Sequence, residues 1–93
     1  MDARAPQRTV VIDMGSNSFR LVAYSYEPGR SWRRTDEIYD TVRLGAGLQA
    51  TGRLAEDRID AAIEAMEVYA HFCAASAIEP AQVRAVATSA IRD

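Results

Sequence analysis

Two hydrophobic periods follow one another along the chain. Thr9-Val-Val-Ile-Asp13 is a short apolar run that closes on an acidic residue, and it predicts a strand buried on both faces. Gly15, Ser16 and Asn17 then form a turn cluster. From Ser18 to Tyr26 the pattern alternates, with Phe19, Leu21 and Ala23 on one side and Arg20, Val22 and Tyr24 on the other. Two such runs set so close together predict an antiparallel hairpin around a tight polar turn. Glu27-Pro-Gly-Arg30 is the next turn. Between Trp32 and Leu44 a period of two emerges only at the end, where Ile38, Asp40, Val42 and Leu44 share a side. The glycine-rich stretch Leu44–Arg53 reads as loop.

The period changes at Ala55. Ile59, Ala62, Ile63, Met66, Ala70 and Cys73 recur at three and four, one stripe of an amphipathic helix reaching about Ala77. Ile78-Glu-Pro80 ends that helix, and Val83 to Thr88 is a fourth strand. Ser89 opens what reads as another helix, interrupted at Asp93. The predicted order is β-β-β-α-β, with residues 1–7 a flexible leader and 8–93 an incomplete, truncated domain. One helix covers one face of a sheet. The other face, and the edge beyond the fourth strand, are expected to expose apolar surface and to favour self-association.

Composition narrows the classes. With 93 residues, 48% of them hydrophobic and 26% charged, the chain has the balance of one small globular domain. A formal net charge of -2 gives no field that would gather nucleic acid or an anionic membrane, so any polyanion must be held by a local site. No apolar run approaches the roughly 18 residues that span a bilayer. The polar start and the brief run Val10–Ile12 do not make a signal peptide. The single cysteine, Cys73, excludes an internal disulfide and a cysteine-built zinc site. These features point to the cytoplasm.

One segment carries chemistry. A tight turn between antiparallel strands can aim backbone N–H groups at one point, and Gly15 lets an anion come close. Ser16, Asn17 and Ser18 add short donors, and Arg20 on the second strand can reach a phosphate oxygen. Asp13 offers the oxygen that a magnesium ion or its water shell prefers. Turns of this composition also occur where nothing binds, and both readings stand on composition alone. Asp13 weighs toward the first, because a carboxylate ending a buried apolar run is costly unless paired or ligating.

The segment Val11-Ile-Asp-Met-Gly-Ser-Asn-Ser-Phe-Arg-Leu21 resembles the first phosphate loop of the Ppx/GppA family, Asp-x-Gly-Ser-Asn-Ser followed by a basic residue. Val42-Arg-Leu-Gly-Ala-Gly-Leu48 and Thr51-Gly-Arg-Leu54 resemble the family's loop before its first long helix. Val83-Arg-Ala-Val-Ala-Thr-Ser-Ala-Ile-Arg92 resembles its fourth strand and the helix start that follows. The matches run in order from residue 9 to 92. The resemblance implies an α/β fold with a mixed sheet, a ribonuclease H-like half-domain of the actin-like ATPase superfamily. It implies hydrolysis of terminal phosphoanhydride bonds in inorganic polyphosphate or guanosine pentaphosphate, with Mg2+ as cofactor. By position, Gly15, Ser16, Asn17, Ser18, Arg20, Thr88, Ser89 and Arg92 would bind phosphate and Asp13 would hold the metal. The family's catalytic glutamate and second phosphate loop fall beyond Asp93, so no catalytic residue is carried over. The chain then needs the remainder of the enzyme as its partner and is expected to be inactive alone. A non-catalytic polyphosphate-binding module and a fragment of an actin-like sugar or acetate kinase remain the alternatives.

Other residues have plainer readings. His71 lies off the helix stripe and reads as solvated, whereas Cys73 lies on it and reads as core. Trp32 with Arg33 and Arg34 could stack on a ligand, but an edge-strand surface explains them more simply. Glu56, Asp57 and Asp60 complement the helix dipole and need no metal. Ala55 stands where family members often carry a capping serine, so the helix start is expected to lack a side-chain cap.

Overall fold

The computed structural model describes residues 6–87. Strand β1 spans Gln7–Met14, β2 Phe19–Glu27 and β3 Ser31–Asp40. A short helix α1 (Leu48–Thr51) and a long helix α2 (Glu56–Ala75) follow, then a 3-10 turn over Pro80–Gln82 and strand β4, Val83–Ala87. The strands form one sheet in the order β3-β2-β1-β4. β2 pairs antiparallel with both β1 and β3, and β4 runs parallel to β1, so the sheet is mixed as expected.

Register assigns the two faces. Val10 opposes Ala23, Ile12 opposes Leu21 and Met14 opposes Phe19, and this face packs under α2. Val10, Phe19, Leu21 and Tyr69 are the largest fully enclosed side chains, together with Val42 from the turn after β3. The alternate positions, including Asp13, Arg20, Val22 and Tyr24, belong to the face away from the helix. β1 is therefore covered on one face, not on both. Two long-range bonds seat β4 beside β1: Thr9 Oγ1 donates to the Gln82 carbonyl at 3.1 Å, and Gln82 Nε2 donates to the Arg8 carbonyl at 3.0 Å.

Helix α2 is rotated from the orientation that its large apolar residues predict. Ala65, Tyr69 and Cys73 are buried against the sheet, whereas Ile63 is 52% and Ile59 38% exposed and Ala70 is also exposed. Ala65 and Tyr69 belong to the core cluster, Ala61 packs against it, and Tyr69 is fully buried. Ile59, Ile63 and Met66 instead border an apolar groove together with Met14, Phe19 and Leu54. Cys73 is core as expected, and burial pushes its thiol above the ordinary range while Arg8 pulls it partly back. His71 is exposed.

The ends of α2 follow local rules. Ala55 is the N-cap and makes no side-chain capping bond, as the missing serine predicts. At the other end the Ile78 amide donates to the Cys73 carbonyl at 2.8 Å, and Ala77 takes a left-handed conformation, φ 57°. The Arg8 guanidinium donates to the Ser76 carbonyl at 2.6 Å, placing a cation at the negative end of the helix.

Three details differ from the sequence pattern. Gln7 is not part of a leader but pairs with Tyr26 in the sheet. β3 pairs with β2 from Ser31 to Asp40, broken only by a bulge at Thr35, though its exposed edge position leaves no alternation to read at its start. The loop after Leu44 contains the single turn α1, bounded by Gly47 (φ 82°) and Gly52 (φ 72°). On the edge strand Trp32 stacks on Tyr26, centroids 4.7 Å apart, and meets Tyr24 edge-on, which bears out the surface reading.

Candidate functional site

The loop between β1 and β2 lies at the C-terminal end of β1, beside the last paired residue of β4: Met14 opposes Phe19 on one side and Ala87 on the other. The Gly15 amide donates to the Ser18 carbonyl at 2.9 Å and closes the turn. A Cβ on Gly15 would sit 3.1 Å from that same carbonyl oxygen, so the closure favours a residue without a side chain.

A second segment holds the loop from outside the hairpin. The Arg43 amide donates to the Asn17 carbonyl at 2.7 Å, and the Gly45 amide donates to the Ser16 carbonyl at 2.9 Å. The carbonyls of Ser16, Asn17 and Ser18 are thus all engaged by protein donors. Among the described residues, no acceptor takes the amides of Ser16, Asn17 or Ser18. With carbonyls turned to protein and amides left over, the loop presents donor character, the polarity that an oxyanion needs.

Side chains extend this surface. Ser18 Oγ lies 2.7 Å from the Tyr39 hydroxyl. If Tyr39 donates, the Ser18 hydroxyl keeps its own proton for another acceptor. Asp13 and Arg20 are opposite one another in register, on the face that α2 leaves uncovered, and both are exposed. Exposure removes the argument that Asp13 must be ligated to offset burial, since its carboxylate is hydrated where it stands. Neither residue forms an ion pair among the described residues. No three His, Cys, Asp or Glu side chains among the described residues are grouped to hold a metal, so Glu56, Asp57 and Asp60 form no such cluster.

The structure therefore brings together Asp13, Gly15, Ser16, Asn17, Ser18 and Arg20. Thr88, Ser89 and Arg92 lie outside the described residues. Sequence reasoning did not assign a role at the site to Tyr39, Arg43 or Gly45. Tyr39 could have been found as the residue opposite Arg20 on β3. Arg43 and Gly45 act through backbone atoms, which residue types do not reveal.

The Ppx/GppA phosphatase family model matches residues 33–93. The chain belongs to the Ppx/GppA phosphatase family. It is 37% identical over 89 residues to exopolyphosphatase 2 of Mycobacterium tuberculosis, an alignment covering 92% of this chain and 27% of the relative. The crystal structure of the Ppx/GppA family member of Aquifex aeolicus superposes with a TM-score of 0.85 at 36% identity, covering 94% of this chain and 28% of that one. An exopolyphosphatase from Cytophaga hutchinsonii superposes with a TM-score of 0.81 at 29% identity, covering 92% and 27%. The chain thus spans just over a quarter of the length of these Ppx/GppA relatives. The fold is that of Ppx/GppA structures, matching a partial domain of the actin-like type.

Proposed function

We propose that this chain is the N-terminal phosphate-gripping part of a cytoplasmic exopolyphosphatase, acting on terminal phosphoanhydride bonds of inorganic polyphosphate or of guanosine pentaphosphate. The observation that carries the reading is the polarity of the Gly15–Ser18 loop: the carbonyls of Ser16, Asn17 and Ser18 are engaged, while the amides of the same three residues have no acceptor among the described residues. The names of the relatives support the substrate class.

Phosphoanhydride hydrolysis passes through a loose transition state with charge spread over the equatorial oxygens, so catalysis rests on positioning and electrostatics. In this reading the amides of Ser16, Asn17 and Ser18 and the Ser18 hydroxyl hold the terminal phosphate. Arg20 offsets its charge from the adjoining strand. Thr88, Ser89 and Arg92 are proposed to add donors to the same wall. A single carboxylate beside a phosphate site suits magnesium, which takes one or two carboxylates and fills its remaining positions with water and substrate oxygens. Asp13 would hold it, and the ion would neutralise phosphate charge when bound.

Water activation is assigned to a glutamate outside this chain, so the 93 residues alone are expected to bind without turnover. Their partners are the remainder of the enzyme and, in isolation, other copies meeting through the uncovered sheet face. Exposed Val86, Trp32 and Tyr39 support that contact.

Calorimetric titration with tripolyphosphate and Mg2+ tests the reading. Saturable binding is expected, weakened about tenfold by Arg20→Ala through loss of a charge-assisted bond. No binding, or binding indifferent to Arg20, contradicts it.

A further inference from the structure

We propose that Arg43–Gly45 is a backbone clamp that sets the phosphate loop, and that Gly45 is a positioning residue because only a residue without a side chain lets the clamp seat on Ser16. The inference rests on the phosphate reading of the loop and extends it to a segment that contributes no side chain to the ligand.

Three observations carry it. The clamp supplies two hydrogen bonds across sequence separations of 26 and 29 residues, from the Arg43 amide to the Asn17 carbonyl and from the Gly45 amide to the Ser16 carbonyl. These bonds engage the carbonyls of the two central residues of the loop, while their amides have no acceptor among the described residues. A Cβ built on Gly45 would lie 3.2 Å from the Ser16 Cβ and 3.6 Å from the Ser16 carbonyl oxygen, closer to the side chain than ordinary van der Waals contact. The backbone of residue 45 is not in the left-handed region, so conformational freedom is not what requires glycine there. Close approach is.

The clamp is itself held under tension. Arg43 adopts φ 56°, a left-handed conformation costly for a residue with a Cβ. It is retained where the Ala46 amide donates back to the Arg43 carbonyl at 3.0 Å and Val42 and Leu44 on either side are buried in the core. Two anchored side chains thus fix the segment, and its amides have one place to go. A methyl group at position 45 displaces Ser16 or the clamp by a few tenths of an ångström, and the loop amides lose their common aim.

The test is a double-mutant cycle between Gly45→Ala and Ser16→Gly, read by tripolyphosphate affinity and by the through-hydrogen-bond coupling from the Gly45 amide nitrogen to the Ser16 carbonyl carbon. Gly45→Ala in the otherwise unchanged chain is expected to abolish that coupling and to weaken binding about tenfold. In the Ser16→Gly background, where the opposing Cβ is gone, the same alanine should preserve the coupling and change affinity less than about twofold. If the single variant fails to fold, recovery of the native spectrum in the double variant supports the clamp equally. An alanine that costs the same in both backgrounds, or costs nothing in either, overturns the proposal while leaving the phosphate reading intact. Absence of binding by the unsubstituted chain removes the phosphate reading and the clamp's role together.

Discussion

The hydroxyls of Ser18 and Tyr39 lie 2.7 Å apart, joining the end of the β1–β2 loop to the edge strand β3. Tyr39 is 62% exposed, so the bond is not a by-product of packing. Either hydroxyl can donate in this pair, and where Tyr39 is the donor the serine proton is left for another acceptor. Tyr39→Phe is expected to weaken tripolyphosphate binding about threefold, with little effect on the melting temperature. Calorimetry and thermal denaturation on the same variant check both halves, and an unchanged affinity removes Tyr39 from the site.

Tyr69 makes an opposite prediction. Its side chain is fully buried, and its hydroxyl has no hydrogen-bond partner among the described residues. Burial, with the nearby Asp40 charge adding to it, pushes its phenol up to about 12. Because the folded state holds this proton more tightly than the unfolded chain, the stabilisation is complete below about pH 10. It is lost as the pH rises through about 12. Tyr69→Phe removes an unsatisfied polar group and should raise stability by about 1 kcal/mol at pH 7. It should also flatten the decline above pH 10, as measured by urea denaturation at several pH values.

Both ends of α2 leave room for improvement. Ala55→Ser supplies the absent side-chain cap at the N-terminus and should add about 1 kcal/mol. Ala77→Gly relieves a left-handed alanine and should add a similar amount, about 1 kcal/mol. The two sites are at opposite ends of a 20-residue helix, so their effects should sum. Chemical denaturation of the single and double variants checks this.

Much of the fold was legible because strands and turns declare themselves locally. Phe19, Leu21 and Ala23 recur at every second position, and they line the core as the pattern predicts. The rotation of α2 was not legible. Ile59 and Ile63 are large hydrophobes, but Ala65, Tyr69 and Cys73 are the buried residues of the helix, and size alone gave the wrong stripe. The burial of Asp13 was misjudged for a related reason: it lies on the face of β1 away from α2, where its side chain is exposed. At the site, the Gly-Ser-Asn-Ser turn could be found from its composition, whereas the grip of Arg43 and Gly45 on it could not. Those bonds run between backbone atoms far apart in sequence, and no side-chain type marks them.

The uncovered face has a physical consequence in solution. Val86 is 53% exposed on β4, the edge strand among the described residues, and Ile63 and Val68 are about as open on the helix. The isolated 93-residue chain is expected to self-associate at micromolar concentration, and Val86→Lys to reduce that association by placing a charge on the face. Light scattering across a dilution series checks it, and a monomer at all concentrations would speak against the contact.

The central claim is that the amides of Ser16, Asn17 and Ser18 converge on a phosphate oxyanion. Amide NMR of the chain during titration with tripolyphosphate and Mg2+ tests this most directly. The account predicts saturable downfield shifts concentrated at residues 16–18, with α2 unmoved. Shifts spread over surface arginines, with those three amides unchanged, would contradict it.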